Sequence, residues 1–160
     1  MKVTIAAIGR MKSGPEADLL DTYLTRARQQ GRQAGLSSIA IQEFPESRKP
    51  DTAARKAEEA NALLAACPPG ASIIALDERG KTLSSQQFAD IVRRELDAGT
   101  SDLVFCIGGP DGHGDTVHNA ASLTLSFGRM SWPHKLARAM LAEQIYRAVT
   151  ILVNHPYHRE

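Results

Sequence analysis

The chain has only two cysteines in 160 residues, Cys67 and Cys106. They are too few and too far apart for a disulfide framework, and they fit no metal-ligand spacing. Reduced thiols and a cytoplasmic setting are therefore expected. No apolar stretch approaches the length that spans a bilayer, and the run at residues 3–8 is too short for a secretory signal core, so no membrane partner is expected. Charge of one sign is also missing. Nineteen Lys and Arg stand against 18 Asp and Glu, a net +1, which is no global footprint of a nucleic-acid binder. Any contact with RNA must use local clusters: Arg26, Arg28 and Arg32; Arg48 and Lys49; Arg55 and Lys56; or the terminal pair His158 and Arg159. Each of these, taken alone, reads as a solvated helix face or loop.

Several catalytic signatures are absent too. Gly109, Gly112 and Gly114 do not space as G-x-G-x-x-G, so the dinucleotide fingerprint is excluded. The Gly80-Lys81-Thr82 triplet ends like a phosphate-binding loop, but the position that should carry its first glycine is Ala75. No G-x-S-x-G elbow occurs, and Cys106 sits inside an apolar run, the setting of an inert core thiol. The five histidines include His155 and His158, yet no third or fourth ligand stands at a recognised spacing, so no metal is expected.

What remains is an ordinary globular composition, 42% apolar and 23% charged, with no repeat, low-complexity tract or linker. The length fits a single domain over 1–160. Residues 3–8 (VTIAAI) and 37–44 (SSIAIQEF) read as strands. Residues 72–76 and 103–107 are near-continuous apolar runs, the pattern of strands covered on both faces, and 122–127 is a fifth candidate. Helical patterns lie between them at 15–30, with Ser13 as a possible N-cap, at 51–66, and at 85–98 behind Ser84. Strands alternating with helices of this length predict an α/β fold, a mostly parallel sheet with helices on both faces. A last helix is expected from about Pro133 to Val153, apolar over more than one face. Such a helix needs two partners. They are its own sheet and either a second subunit or a deeper part of its own core.

In an open parallel sheet, ligands bind beyond the carboxyl ends of the strands. Three segments qualify: residues 76–80 (LDERG), 108–114 (GGPDGHG) and 127–132 (FGRMSW). Four glycines in seven residues would let backbone meet a ligand closely, or make a mobile turn. The terminal run NHPYHRE carries two imidazoles, a phenol and a guanidinium, groups that can stack on a base, bind phosphate and move protons. The plainer alternative is a tail docked on its own domain.

GGPDG behind a strand, WPHKLARAMLAEQIYRA, the terminal NHPYHRE, MKVTIAAIGRMK and the LDERGK loop together resemble the RlmH family of pseudouridine N3-methyltransferases, along the whole chain. The resemblance implies a SPOUT-type fold with a C-terminal trefoil knot, a homodimer, and methylation of 23S ribosomal RNA in the assembled ribosome. It implies S-adenosyl-L-methionine as cofactor, held by Leu76, Gly108 and the segment Phe127, Gly128, Arg129, Met130, Ser131 and Trp132. It also implies that His158 assists proton transfer, Arg159 binds phosphate or steadies an anion, and Tyr157 positions the base. Asp111 departs from the family's usual GGPEG, which puts a side-chain role for that acid in question, and Gly128 and Trp132 are further substitutions. Two other classes stay open: a noncatalytic ribosome-binding factor and a nucleotide-processing α/β enzyme.

Overall fold

The computed structural model describes residues 1–159; Glu160, the last residue of the terminal run, lies outside the described residues. Its elements are β1 (Lys2–Ile8), α1 (Pro15–Gly31), β2 (Ser38–Phe44), α2 (Thr52–Ala65), β3 (Ser72–Thr82), α3 (Ser85–Asp97), β4 (Asp102–Ile107), α4 (Asp115–Ala120), β5 (Leu123–Ser126) and α5 (His134–Leu152). The five strands pair in parallel in the order β2-β1-β4-β3-β5. That order explains the sequence pattern. Central β4 is covered on both faces and reads LVFCI without a polar break, whereas edge strand β2 is mostly half-exposed and mixes apolar with polar residues.

Side chains of β1 alternate between two cores, as the period of two requires. Val3, Ile5 and Ala7 join Leu103, Phe105 and Ile107 under α1, α3 and α5. Ala6 and Ile8 join Val104 and Cys106 against Ala60 and Leu63 of α2 and Val117 of α4. Cys106 is fully buried there as an apolar filler.

Most expected elements are present, with three corrections. Ser13 does not cap α1: the cap position is Gly14, which makes no side-chain cap bond, and Pro15 opens the helix. Strand β3 continues past Leu76 to Thr82, with a break in its register to β5 between Leu76 and Lys81. Residues expected as a plain loop therefore form a bulge. A Cβ on Gly80 would stand 2.7 Å from the Leu125 backbone, so only glycine lets the two strands approach. Helix α4 was not expected, because six residues are too short to show a helical period.

Helix α5 is present at His134–Leu152. Its apolar breadth is used within one chain: it packs against α1 and α3, and Leu141, Ala142, Ile145 and Val149 are all at most 2% exposed. Of the two partners left open, the deeper core is the one this chain supplies.

Helix starts elsewhere follow local chemistry. Asp51 accepts the Ala54 N–H at 2.9 Å, and Ser84 and Gln87 form a reciprocal capping box. At the head of α5, buried Arg138 donates to Glu43 at 2.6 Å and to the Ile8 carbonyl at 2.9 Å. That pair pins the helix start to the carboxyl ends of β1 and β2.

Candidate cofactor and substrate site

A cavity of about 430 Å³ opens at the carboxyl edge of the sheet, at the bulge of β3 and the ends of β4 and β5. All three loops picked from the sequence meet there. Leu76, Gly108, Phe127, Gly128, Met130, Ser131 and Trp132 line it; Arg129 does not and points to solvent. The start of α5 adds His134 and Ala137 to the wall.

The glycine loop is a built turn. Gly112 donates its N–H to the Gly109 carbonyl at 2.9 Å across Pro110 and Asp111, which suits proline at the second position of a β-turn, and Gly112 holds a φ of 81°. A Cβ on Gly108 would lie 3.1 Å from Gly112 backbone and 3.2 Å from Nδ1 of His113. The missing side chain keeps the cavity floor as open backbone. Asp111 does not point to a ligand: Nε of Arg55 donates to it at 2.7 Å, and Arg55 also donates to the carbonyls of Lys49 and Pro50. The acid thus ties the loop to α2, and the aspartyl guanidinium pair holds Asp111 below the usual carboxylate range.

His113 was not singled out by sequence. It is 3% exposed, its Nε2 sits 3.2 Å from the Cys106 carbonyl, and its Nδ1 has no partner. Burial, with the neighbouring His118, pushes its pKa below the ordinary value. The ring is therefore neutral near pH 7, with Nε2 carrying the proton and Nδ1 left as an acceptor. Asp77 was also missed as a site residue, although its LDERGK loop was noticed. Burial alone would raise its pKa, but hydrogen bonds from the Arg79 side chain and from its N–H at 2.9 Å carry it below the ordinary value. His118 stands 3.5 Å away on the other oxygen. Ser126 completes the rim by accepting the Gly128 N–H at 3.1 Å, which fixes the turn out of β5.

This donor set suits a nucleoside-bearing sulfonium. Open glycine backbone and one unpartnered buried imidazole nitrogen offer hydrogen bonds, Asp77 offers a carboxylate at the wall, and Met130 and Trp132, 74% and 41% exposed, offer apolar surface to an aromatic ring. Among the described residues, no three His, Cys, Asp or Glu side chains cluster as a metal site would require.

The tail lies elsewhere. Tyr157 packs tilted against Tyr146 with ring centroids 4.6 Å apart, donates its hydroxyl to Glu143 at 3.0 Å, and has the Arg147 guanidinium 4.8 Å from its ring centroid. Burial and Glu143 together push its pKa up. His158 Nδ1 is 3.4 Å from Arg147, and Arg159 is exposed. Tyr157, His158, Glu143 and Arg147 are thus brought together on α5, and none of them lines the cavity of the same chain.

A family model described as "Predicted SPOUT methyltransferase" matches residues 1–158. The Ribosomal RNA large subunit methyltransferase H of Brucella anthropi is 48% identical over 159 residues, 99% of each chain. Its namesake from Chelativorans sp. (strain BNC1) is 50% identical over 160 residues, covering all of this chain and 92% of that one. Among solved structures, a probable methylase family protein from Haemophilus influenzae Rd KW20 superposes with a TM-score of 0.51 at 13% identity, over 99% of this chain and 70% of the other. That likeness speaks for the fold alone.

Proposed function

The chain belongs to the SPOUT methyltransferases, in the group of ribosomal RNA large subunit methyltransferase H, and from that premise we propose that it transfers a methyl group from S-adenosyl-L-methionine to N3 of a pseudouridine in 23S ribosomal RNA. The observation that carries the proposal is the convergence of Leu76, Gly108, Phe127, Gly128, Met130, Ser131 and Trp132 on one cavity. When bound, the cofactor supplies an electrophilic methyl on a sulfonium. The protein's tasks are to hold the cofactor, to orient the target base and to take the N3 proton. Backbone at Gly108 and the turn after Ser126 would hold the nucleoside portion, and Trp132 and Met130 would cover its ring.

N3 of pseudouridine is a weak nucleophile while protonated, so a base within hydrogen-bond reach, or a group favouring the anion, is required. His158 is assigned the proton, Arg159 the phosphate or the anion, and Tyr157 the positioning of the base. Because the tail of one chain lies away from that chain's own cavity, these roles call for a homodimer in which the tail of one subunit completes the cavity of its partner. Leu136, Met140, Gln144, Arg147 and Ile151 form a half-exposed stripe along α5 at helical spacing, which suits such an interface. Threading of the C-terminal part into a trefoil knot belongs to the same proposal.

Calorimetry with S-adenosyl-L-methionine, followed by transfer of labelled methyl to ribosomes carrying the unmodified pseudouridine, tests it. Cofactor binding with label on N3 is the expected result. A protein that bound ribosomes but no cofactor would be a noncatalytic factor, and the proposal would fall.

A further inference from the structure

The order β2-β1-β4 sets three strand ends side by side, with Ile8 level with Phe44 and Ala7 level with Ile107. Neighbouring strands lie about 5 Å apart. Residues 9–12, after β1, start beside residues 45–50, after β2, where Glu46 comes within 3.4 Å of the place a Gly9 Cβ would take. These two segments expose Arg10, Lys12, Arg48 and Lys49. Among the described residues, none of these four cations makes an ion pair.

The nearby carboxylates are engaged internally. Glu43 holds Arg138 and accepts the Met11 N–H, Glu59 is buried and accepts the Ser47 N–H, and Asp111 holds Arg55. Glu46 stays exposed between the two segments and offsets one charge. Asp51 and Glu58 are exposed nearby as well, but Asp51 accepts the Ala54 N–H and Glu58 the Ser47 hydroxyl. Arg10, Lys12, Arg48 and Lys49 thus remain a rim of four exposed cations without an ion pair among the described residues, in a chain whose total charge is only +1.

We propose that this rim, Arg10 and Lys12 beside Arg48 and Lys49, is the surface on which the phosphodiester backbone of the substrate RNA docks, flanking the nucleotide that enters the cavity. The inference rests on the methyltransferase reading and adds where the RNA lies. A backbone that carries one anion per nucleotide and only acceptors at its phosphates matches lysines and arginines. A protein partner fits less well, since lysine is depleted at protein interfaces. The rim is also joined to the cavity. Arg55 donates to the carbonyls of Lys49 and Pro50 at 3.0 Å each while gripping Asp111. Glu59, which holds Ser47, presses its second oxygen to within 2.7 Å of where a Gly109 Cβ would stand. A phosphate seated on the rim is therefore held at a fixed place relative to the glycine loop.

The test uses the paired variants Arg10→Ala/Lys12→Ala and Arg48→Ala/Lys49→Ala, with Arg93→Ala/Arg94→Ala as a charge-matched control on the exposed side of α3. Sedimentation with ribosomes carrying the unmodified pseudouridine is measured over a range of KCl, alongside methyl transfer and cofactor calorimetry. Each rim pair should weaken ribosome binding about tenfold and flatten the plot of log affinity against log salt by about one to two units. The loss should fall on KM for ribosomes, with cofactor affinity and the control unchanged. Rim pairs that transfer methyl with wild-type KM and wild-type salt slope overturn the surface and leave the reaction standing. A wild type that binds ribosomes through the rim yet transfers no methyl overturns the reaction and leaves the surface standing.

Discussion

At the scale of single residues, the site depends on what is left out as much as on what is present. Gly108→Val would push a branched side chain into Gly112 backbone and the His113 ring, both within 3.2 Å of the new Cβ. Cofactor affinity measured by calorimetry should drop at least about a hundredfold, roughly 2.7 kcal/mol, while circular dichroism stays native. Normal affinity in the folded variant would move the pocket elsewhere. His113 gives a pH prediction. Its folded pKa lies below the ordinary 6.5, so the unfolded chain binds the proton first and stability falls as pH drops from about 6.5 toward the lower folded value. Urea midpoints taken from pH 7.5 to 5 should decline, and His113→Leu should flatten that decline. An unchanged slope in the variant would mean that another group titrates.

At the scale of elements, α5 and the segment after it do three jobs: core, cavity wall and tail dock. Arg138→Ala would leave Glu43 without its partner and free the head of the helix. Removing one member of such a pair costs about 3–5 kcal/mol where it is buried, less here because Glu43 is partly exposed, and urea unfolding should register a loss of at least about 1 kcal/mol. Deleting residues 157–160 removes the Tyr157 contacts with Tyr146, Glu143 and Arg147 but, among the described residues, nothing from the cavity wall. Stability should fall modestly and cofactor binding should persist, while methyl transfer to ribosomes is lost. Near-normal turnover by the truncated protein would remove the tail from the mechanism and turn attention to Glu143, Arg138 and His134. The sequence made α5 visible by its apolar period, but its breadth alone could not separate a dimer seam from a helix sunk between α1 and α3.

At the scale of the whole molecule, two substitutions separate those roles. Ile145 is 2% exposed inside its own chain, so Ile145→Glu buries an unpaired charge and should unfold the protein. Met140 is only half-buried in the stripe that includes Leu136 and Ile151, so Met140→Glu should give a folded monomer where the wild type is a dimer. Light scattering at micromolar concentration reads both outcomes. A monomeric wild type would sink the homodimer and, with it, a tail that acts across subunits.

The sequence by itself determined the five strands, the four long helices and the three strand-end segments that became the cavity. These follow from short-range patterns: the period of two in β1, the unbroken apolar run of β4, the capping residue Ser84, and glycine density after a strand. Helix α4 and the bulge in β3 escaped because six residues show no period and a bulge is defined only by its partner strand. Only the tertiary structure decided the partners of isolated side chains. Arg55 and Asp111 are 56 residues apart, and Arg138 and Glu43 are 95 apart, so no local pattern joins them. The order β2-β1-β4, which brings together the two basic segments that follow β1 and β2, is likewise a property of strand pairing across the chain. The tail shows the same division. Its residue types announced their chemistry in the sequence, but folding packed Tyr157 against Tyr146 and away from its own cavity, because an aromatic ring gains more by burial on α5 than by standing in water.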